Sequence, residues 1–215
     1  MDVEPRSAKG RRTRARLIDA GKRVFERDGF LQARISDIAA EAEVSHGSFY
    51  HYFDSKESLF REIAAEVEVR LLSMDDSGSD EEHLAGPIDR IRAANRSYLT
   101  AYRDEAAIMR VIEEVSRYDA DVRLVRTERD DALAARLQAA IARLQAEGLA
   151  DSRIDTHYAA EALGGMVARF AETLFFGNGA FDLDTAVEQL TLLWANSLGL
   201  KENRPRKARK AAGAA

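Results

Sequence analysis

The apolar positions of this chain recur at intervals of three and four residues, the spacing that gathers side chains on one helix face. Between Thr13 and Asp28, Leu17, Ile18, Gly21, Val24 and Phe25 share one side, which predicts a first helix; Gly29 stops it and leaves Phe30 to turn into a small core. Ile35, Ile38, Ala39 and Ala42 repeat at i, i+3, i+4 and i+7 and predict a short second helix. Glu43-Val44 interrupts it, and Ser45 is placed to cap a third helix over residues 46–53. Asp54-Ser55-Lys56-Glu57 reads as a capping box opening a fourth, longer helix through Leu59, Ile63, Val67, Leu71 and Met74. Residues 75–82, DDSGSDEE, are acidic and small, as a solvated loop is.

Pro87 suits the first position of a further helix, which carries Ile88, Ile91, Tyr98 and Tyr102. A shorter pattern over residues 106–118 has Ile108, Met109, Ile112 and Val115 apolar; residues 119–148 form a long Arg-rich pattern with a seam of Leu133, Leu137, Ile141 and Leu144. Asp155 is a cap for a helix bearing Ala159, Leu163, Met166, Phe170 and Leu174 and ending near Gly177. Thr185 and Glu188 form a second capping-box pattern, opening a last helix with Val187, Leu190, Trp194 and Leu198. The expected fold class is all-α, with about nine helices. They divide into a head at residues 1–54 with a basic N-terminal arm, a helical body at 55–200, and a basic tail at 201–215 without periodicity, expected to be disordered.

Composition narrows the class. Apolar residues are 46% of the 215 and charged residues 32%, as in globular proteins. No apolar run approaches the roughly 20 residues of a membrane span, and residues 1–16 hold no apolar segment of a signal peptide, so a cytoplasmic protein with no membrane partner is expected. The absence of cysteine excludes disulfides and thiolate-held zinc. The net charge of −5 is unevenly spread: residues 1–56 hold 11 Lys and Arg against 9 Asp and Glu, while the remainder holds 21 against 28. Arg6, Lys9, Arg11, Arg12, Arg14 and Arg16 follow one another with no acid between Pro5 and Ile18. Such a basic run alone is commonly a solvated terminus. Beside the two short helices that follow, contact with a phosphate backbone is the better account.

Helix, tight turn, helix is the layout in which a second helix enters the DNA major groove. Phe49 and Phe53 lie at i and i+4 and can anchor one face, leaving His46, Gly47, Ser48, Tyr50, His51 and Tyr52 as small or hydrogen-bonding groups. Base edges are read by such a mixture of donors and acceptors, and phosphates by hydroxyls, helix N-termini and cations such as Lys56. The pattern S-x-G-x-x-Y-x-Y-F-x-S-K-E-x-L-F at Ser45 to Phe60, with D-I-A at Asp37 to Ala39 and D-G-F at Asp28 to Phe30, resembles the DNA-binding signature of TetR/AcrR-family regulators. The resemblance implies that His46, Gly47, Ser48, Tyr50 and His51 face DNA, with Ser45, and that Tyr52 and Lys56 hold phosphates; Arg34 and Ser36, at the start of the preceding helix, complete the expected interface. Arg34 stands where many members have Thr, and Glu43 where the turn usually has Gly. The family also implies a homodimer through the last two helices. Here those helices carry Leu193, Phe175 and Phe176 beyond a single stripe, and one of them contains Gly164-Gly165, which suits close packing in the core or across a dimer.

Catalytic signatures such as H-E-x-x-H, G-x-S-x-G or a P-loop are missing, so an enzyme is not expected and no cofactor is implied. His157 and Glu161 stand at i, i+4 but do not complete a metal site; Glu113-Glu114 point to different faces, and His83 lies in the acidic loop. Tyr98, Tyr102, Met109, Ile112, Met166, Phe170 and Phe176 are ordinary core residues taken singly. Together they suit an adaptable cavity for a small lipophilic effector, and an effector cavity in the body is what the resemblance implies. The reading is a homodimeric repressor of a near-palindromic operator on double-stranded DNA, released by that effector. A helical lipid or small-molecule carrier and an effector-free architectural DNA-binding protein are the alternatives.

Overall fold

A computed structural model describes residues 7–73, 86–177 and 179–201. Arg6, Met74, the acidic stretch at 75–82, His83 and all but the first residue of the basic tail lie outside them. Nine helices and no strand occur among the described residues: α1 Ala8–Gln32, α2 Ile35–Glu41, α3 His46–Phe49, α4 Lys56–Ser73, α5 Pro87–Asp104, α6 Ala106–Ser116, α7 Ala120–Ala146, α8 Thr156–Phe176 and α9 Leu183–Leu198.

The helix boundaries follow the caps more than the apolar periodicity. α1 begins five residues before the expected start, because the Ser7 side chain accepts from Gly10 N at 3.0 Å and Ala8 to Arg12 are mostly good helix formers. Lys9, Arg11 and Arg12 therefore sit on helix rather than on an extended arm. Gly29, at φ 74°, breaks α1 where a stop was expected, after which the chain resumes to Gln32. α3 is only four residues long, not eight. Ser45 caps it, and beyond Phe49 the backbone tightens to three-residue bonds (His51 N to Ser48 O, Tyr52 N to Phe49 O) that carry Phe53 back into the core.

Two capping expectations shift. At the start of α4 the exchange is between Ser55 and Ser58, each backbone N–H donating to the other's hydroxyl at 3.2 Å, rather than between Asp54 and Glu57. At α9 the cap is Asp182, which accepts from Thr185 N at 2.9 Å; Thr185 lies inside the first turn, and Glu188 instead reaches Arg92 of α5 at 2.9 Å. Asp155 caps α8 as expected, accepting from His157 N and Tyr158 N.

One cluster of buried apolar side chains runs from Leu17 to Leu200. Towards the N-terminus it centres on Phe25 and Phe30 of α1 and Phe60 of α4, whose rings meet at 4.9–5.7 Å. Gly21 lets α1 and α4 approach: a Cβ there would stand 2.7 Å from Leu59 Cδ2 and 3.1 Å from Ile63 Cδ1. Further along, α4 packs on α7, α7 on α8 and α5 on α9. Gly164 serves the α7–α8 contact, since a Cβ there would meet Leu137 Cδ1 at 2.9 Å, whereas Gly165 faces open space. No described helix is long and apolar enough to cross a membrane.

Candidate nucleic-acid interface

Phe49 and Phe53 are 0% and 1% exposed, and their burial anchors α3 and the following turn in the core, with α3 against α2 and Arg14 of α1 5.2 Å from the Phe53 ring centroid. The side chains between them are thereby turned outward. Ser45, His46, Gly47, Tyr50 and His51 are exposed, with Tyr50 at 50%. The Tyr50 ring meets the His46 ring edge-on at 5.4 Å, so the phenol and the imidazole are held side by side. A Cβ at Gly47 would meet nothing within 4 Å, so the protein's own packing does not demand glycine there. Ser48 is half-buried, its Oγ 2.7 Å from Ser45 Oγ at the helix start. Arg34 and Ser36 are exposed at the head of α2; Arg34 makes no side-chain cap bond, and Ser36 Oγ lies 3.3 Å from Asp37 Oδ1.

Tyr52 and Lys56 are placed differently from the rest. Tyr52 is half-buried against the core. The Lys56 ammonium points at the end of α1, donating to Phe30 O at 2.8 Å, Ala33 O at 3.1 Å and Leu31 O at 3.4 Å, and lies 4.7 Å from the Phe30 ring centroid. An ammonium has three donors, and here all three have carbonyl acceptors inside the protein. Lys56 thus ties α4 to the end of α1, where unsatisfied carbonyls attract a cation.

The turn between α2 and α3 has a support that sequence inspection missed. Glu43 occupies the left-handed region at φ 50° despite having a side chain. The Arg16 guanidinium of α1 donates to Ala42 O, to Glu43 O at 3.3 Å and to the Glu43 carboxylate at 3.1 Å, holding that conformation from outside the turn. Arg23 and Arg27 bridge from α1 to Glu41 at 2.9 and 3.2 Å, and Arg27 also holds Asp28 at 2.8 Å. Hydrogen bonding from these arginines holds both carboxyls below their ordinary range. Each of these arginines lies on the same helix as the others at intervals of four or seven residues, a signal visible once the basic run is read as helix.

In the body the seven residues singled out for an effector pack largely into the core. Tyr102, Met109 and Ile112 are fully buried, while Tyr98, Met166, Phe170 and Phe176 are half-buried. The Tyr102 ring packs on Tyr98, Phe175 and Phe176 at 5.9–6.1 Å, and Tyr98 Oη accepts from Arg129 at 3.1 Å. A cleft of about 670 Å³ opens instead between α5, α7 and α9, and none of the seven lines it. Among the described residues no cluster of three His, Cys, Asp or Glu side chains could hold a metal ion.

A short helix fixed by buried rings after a tight turn, on an all-helical body, has the helix-turn-helix layout. Residues 17–63 match the family model for bacterial regulatory proteins, tetR family. Over 61 residues the chain is 34% identical to the HTH-type transcriptional regulator UidR of Escherichia coli K12, covering 28% of this chain and 31% of that one. Over 53 residues it is 40% identical to the HTH-type transcriptional repressor DhaR of Mycobacterium sp. strain GP1, covering 25% and 27%. The matched stretch thus spans about a third or less of these relatives' own length. The whole fold is shared with the fatty acid degradation regulator FadR of Bacillus halodurans, at a TM-score of 0.73 and 19% identity over 92% of this chain and 100% of that one.

Proposed function

We propose that the protein is a homodimeric repressor that binds a near-palindromic operator through two heads and leaves it when a small effector binds the body. Residues 1–54 read DNA in this scheme, and residues 55–200 sense and pair. The observation that carries the reading is the outward set of Ser45, His46, Gly47, Tyr50 and His51 on a support whose phenyl rings are fully buried. Side chains able to donate and accept are held there at fixed positions, as base readout requires. Arg34 and Ser36 flank this set, the Ser45 and Ser48 hydroxyls stand together at the helix start where a phosphate can approach, and Lys9 and Arg12 extend exposed positive charge along α1. Gly47 has room for a side chain in the free protein, and in this reading its glycine serves the close approach of DNA.

Pairing is supported by the outer faces of the last two helices. Tyr158 on α8 is 76% exposed, and Leu192 and Leu193 on α9 are 47% and 50% exposed, while Gly165 offers a flat backbone patch. Such a surface suits burial against a second copy. The heads of a dimer then address successive major grooves about 34–36 Å apart. An effector that prefers the spacing unmatched to both half-sites releases the DNA. The name of DhaR as a repressor favours that sign of regulation.

A nuclease footprint on the DNA flanking the coding region, repeated at several salt concentrations, tests the reading. Two protected half-sites about one turn apart are expected, with affinity falling steeply as salt rises. His51→Ala should change the preferred base at one position of each half-site by about 1–3 kcal/mol. An unprotected flanking region and salt-independent behaviour would favour a helical small-molecule carrier instead.

A further inference from the structure

The cleft between α5, α7 and α9 is built from three kinds of group. Its floor is apolar, from Ile91, Leu137, Ile141 and Leu144, and its rim carries Arg90, Arg136 and Arg143 against one carboxylate, Glu147. Trp194 lines it as well; that residue is 6% exposed, and its indole N–H has no acceptor among the described residues. A buried donor left unpaired is costly, so one on the wall of a cleft favours an occupant with an acceptor. The volume of about 670 Å³ is that of a small-molecule pocket rather than a packing defect. Guanidinium groups over an apolar floor select a molecule with an acidic head and a hydrocarbon body.

One of these arginines also touches the helix that links head and body. Arg136 Nη1 donates to Leu72 O, in the last turn of α4, at 2.8 Å. We infer that the cleft binds an anionic amphiphile, a carboxylic or comparable acid on an apolar chain, and that Arg136 transmits its arrival to α4. An acid drawn to Arg136 competes with the Leu72 carbonyl for the same donors. The arginine then has two arrangements, one on the connecting helix and one on the ligand, which the ligand biases. The second half of this inference rests on the ligand-released repressor proposed above; the binding half does not.

Trp194 is the sole tryptophan of the chain, so its fluorescence reports on the cleft directly. The full chain is titrated with dodecanoate, 1-dodecanol and dodecyltrimethylammonium, each below its micelle concentration, and with phosphatidylglycerol vesicles. Dodecanoate should give a saturable change at least about tenfold tighter than the alcohol or the cation. The double variant Arg90→Gln/Arg143→Gln, whose changes are on the rim, should weaken it about tenfold, and Ala140→Phe should block it sterically. Dodecanoate should weaken DNA binding by the wild type. Arg136→Gln should abolish that ligand-induced change, and Arg136→Lys, which can still donate to Leu72 O, should restore part of it. Equal responses to all three amphiphiles, indifference to the rim variants, or a response to vesicles alone would overturn the proposed site. DNA release by the cation but not by dodecanoate overturns it too, while leaving the repressor reading intact. Saturation of the Trp194 signal with DNA affinity unchanged keeps the site and removes ligand-controlled release.

Discussion

Glu43 and Lys56 both do structural work that their residue types alone do not announce. A non-glycine residue in the left-handed region costs about 1–2 kcal/mol, and the exposed contact with Arg16 returns only about 0–1 kcal/mol. Glu43→Gly should therefore raise the stability of the protein by roughly 0.5–1 kcal/mol in urea melts while leaving DNA affinity unchanged; a destabilised variant would show that the Arg16 clamp outweighs the backbone strain. Lys56→Met should cost about 1.5–3 kcal/mol, the range for hydrogen bonds to a charged group. Because its donors face the carbonyls of Phe30, Leu31 and Ala33, the log–log salt dependence of DNA binding should not change. A slope lower by about one would return Lys56 to the phosphates. The motif from Ser45 to Phe60 was legible because its residue types are specialised. The partners of Glu43 and Lys56 were not, since Arg16 and the carbonyls after Phe30 come from 23 or more positions earlier in the chain and no local rule joins them.

At the scale of the helices, periodicity located all nine, while their ends depended on which hydroxyl or carboxylate capped them. Ser7, Ser55 and Asp182 each moved a boundary or a capping pair. The seven residues expected to face an effector do not line the cleft between α5, α7 and α9, since large apolar and aromatic side chains mark a core as readily as a cavity. The cleft was instead signalled by Arg136 and Arg143, seven residues apart on the polar side of α7 and beside the Leu137–Leu144 seam. Glycines separate inner from outer helix faces. Gly21→Ala should destabilise the protein even though alanine gains about 1 kcal/mol of helix propensity, because Leu59 and Ile63 are 0% and 1% exposed and cannot move aside. Gly165→Leu meets open space within one chain. It should leave the monomer folded by circular dichroism yet shift sedimentation from dimer to monomer. A variant that still sediments as a dimer would move the pairing surface away from α8.

The whole molecule is cross-tied by a buried charge cluster that spans five helices. Glu68 of α4, 2% exposed, stands 3.1 Å from Arg129 and 3.8 Å from Arg126 of α7. Arg126 continues to Glu113 of α6 and Glu172 of α8, and Arg129 to Tyr98 of α5. Neither Glu68 oxygen forms a well-directed hydrogen bond. Burial pushes the Glu68 carboxyl above its ordinary value of 4.5, against the pull of Arg129 and Arg126. An acid with a raised folded-state pKa holds its proton more tightly in the fold. Its stabilising contribution is complete below about 4.5 and is lost as pH rises through the raised value. Deprotonating Glu68 therefore costs stability, on the helix that joins head to body. Removing it does not orphan Arg129, which keeps Tyr98 Oη and Asp130 Oδ1, both at 3.1 Å. Glu68→Gln should match or exceed wild-type stability near neutral pH, and the wild type should gain on it as pH is lowered toward 5, by urea unfolding at each pH. A loss of roughly 3 kcal/mol at neutral pH would mean that the ion pair outweighs its burial, and α4 would then be locked to the body rather than held with a strain that a small displacement relieves.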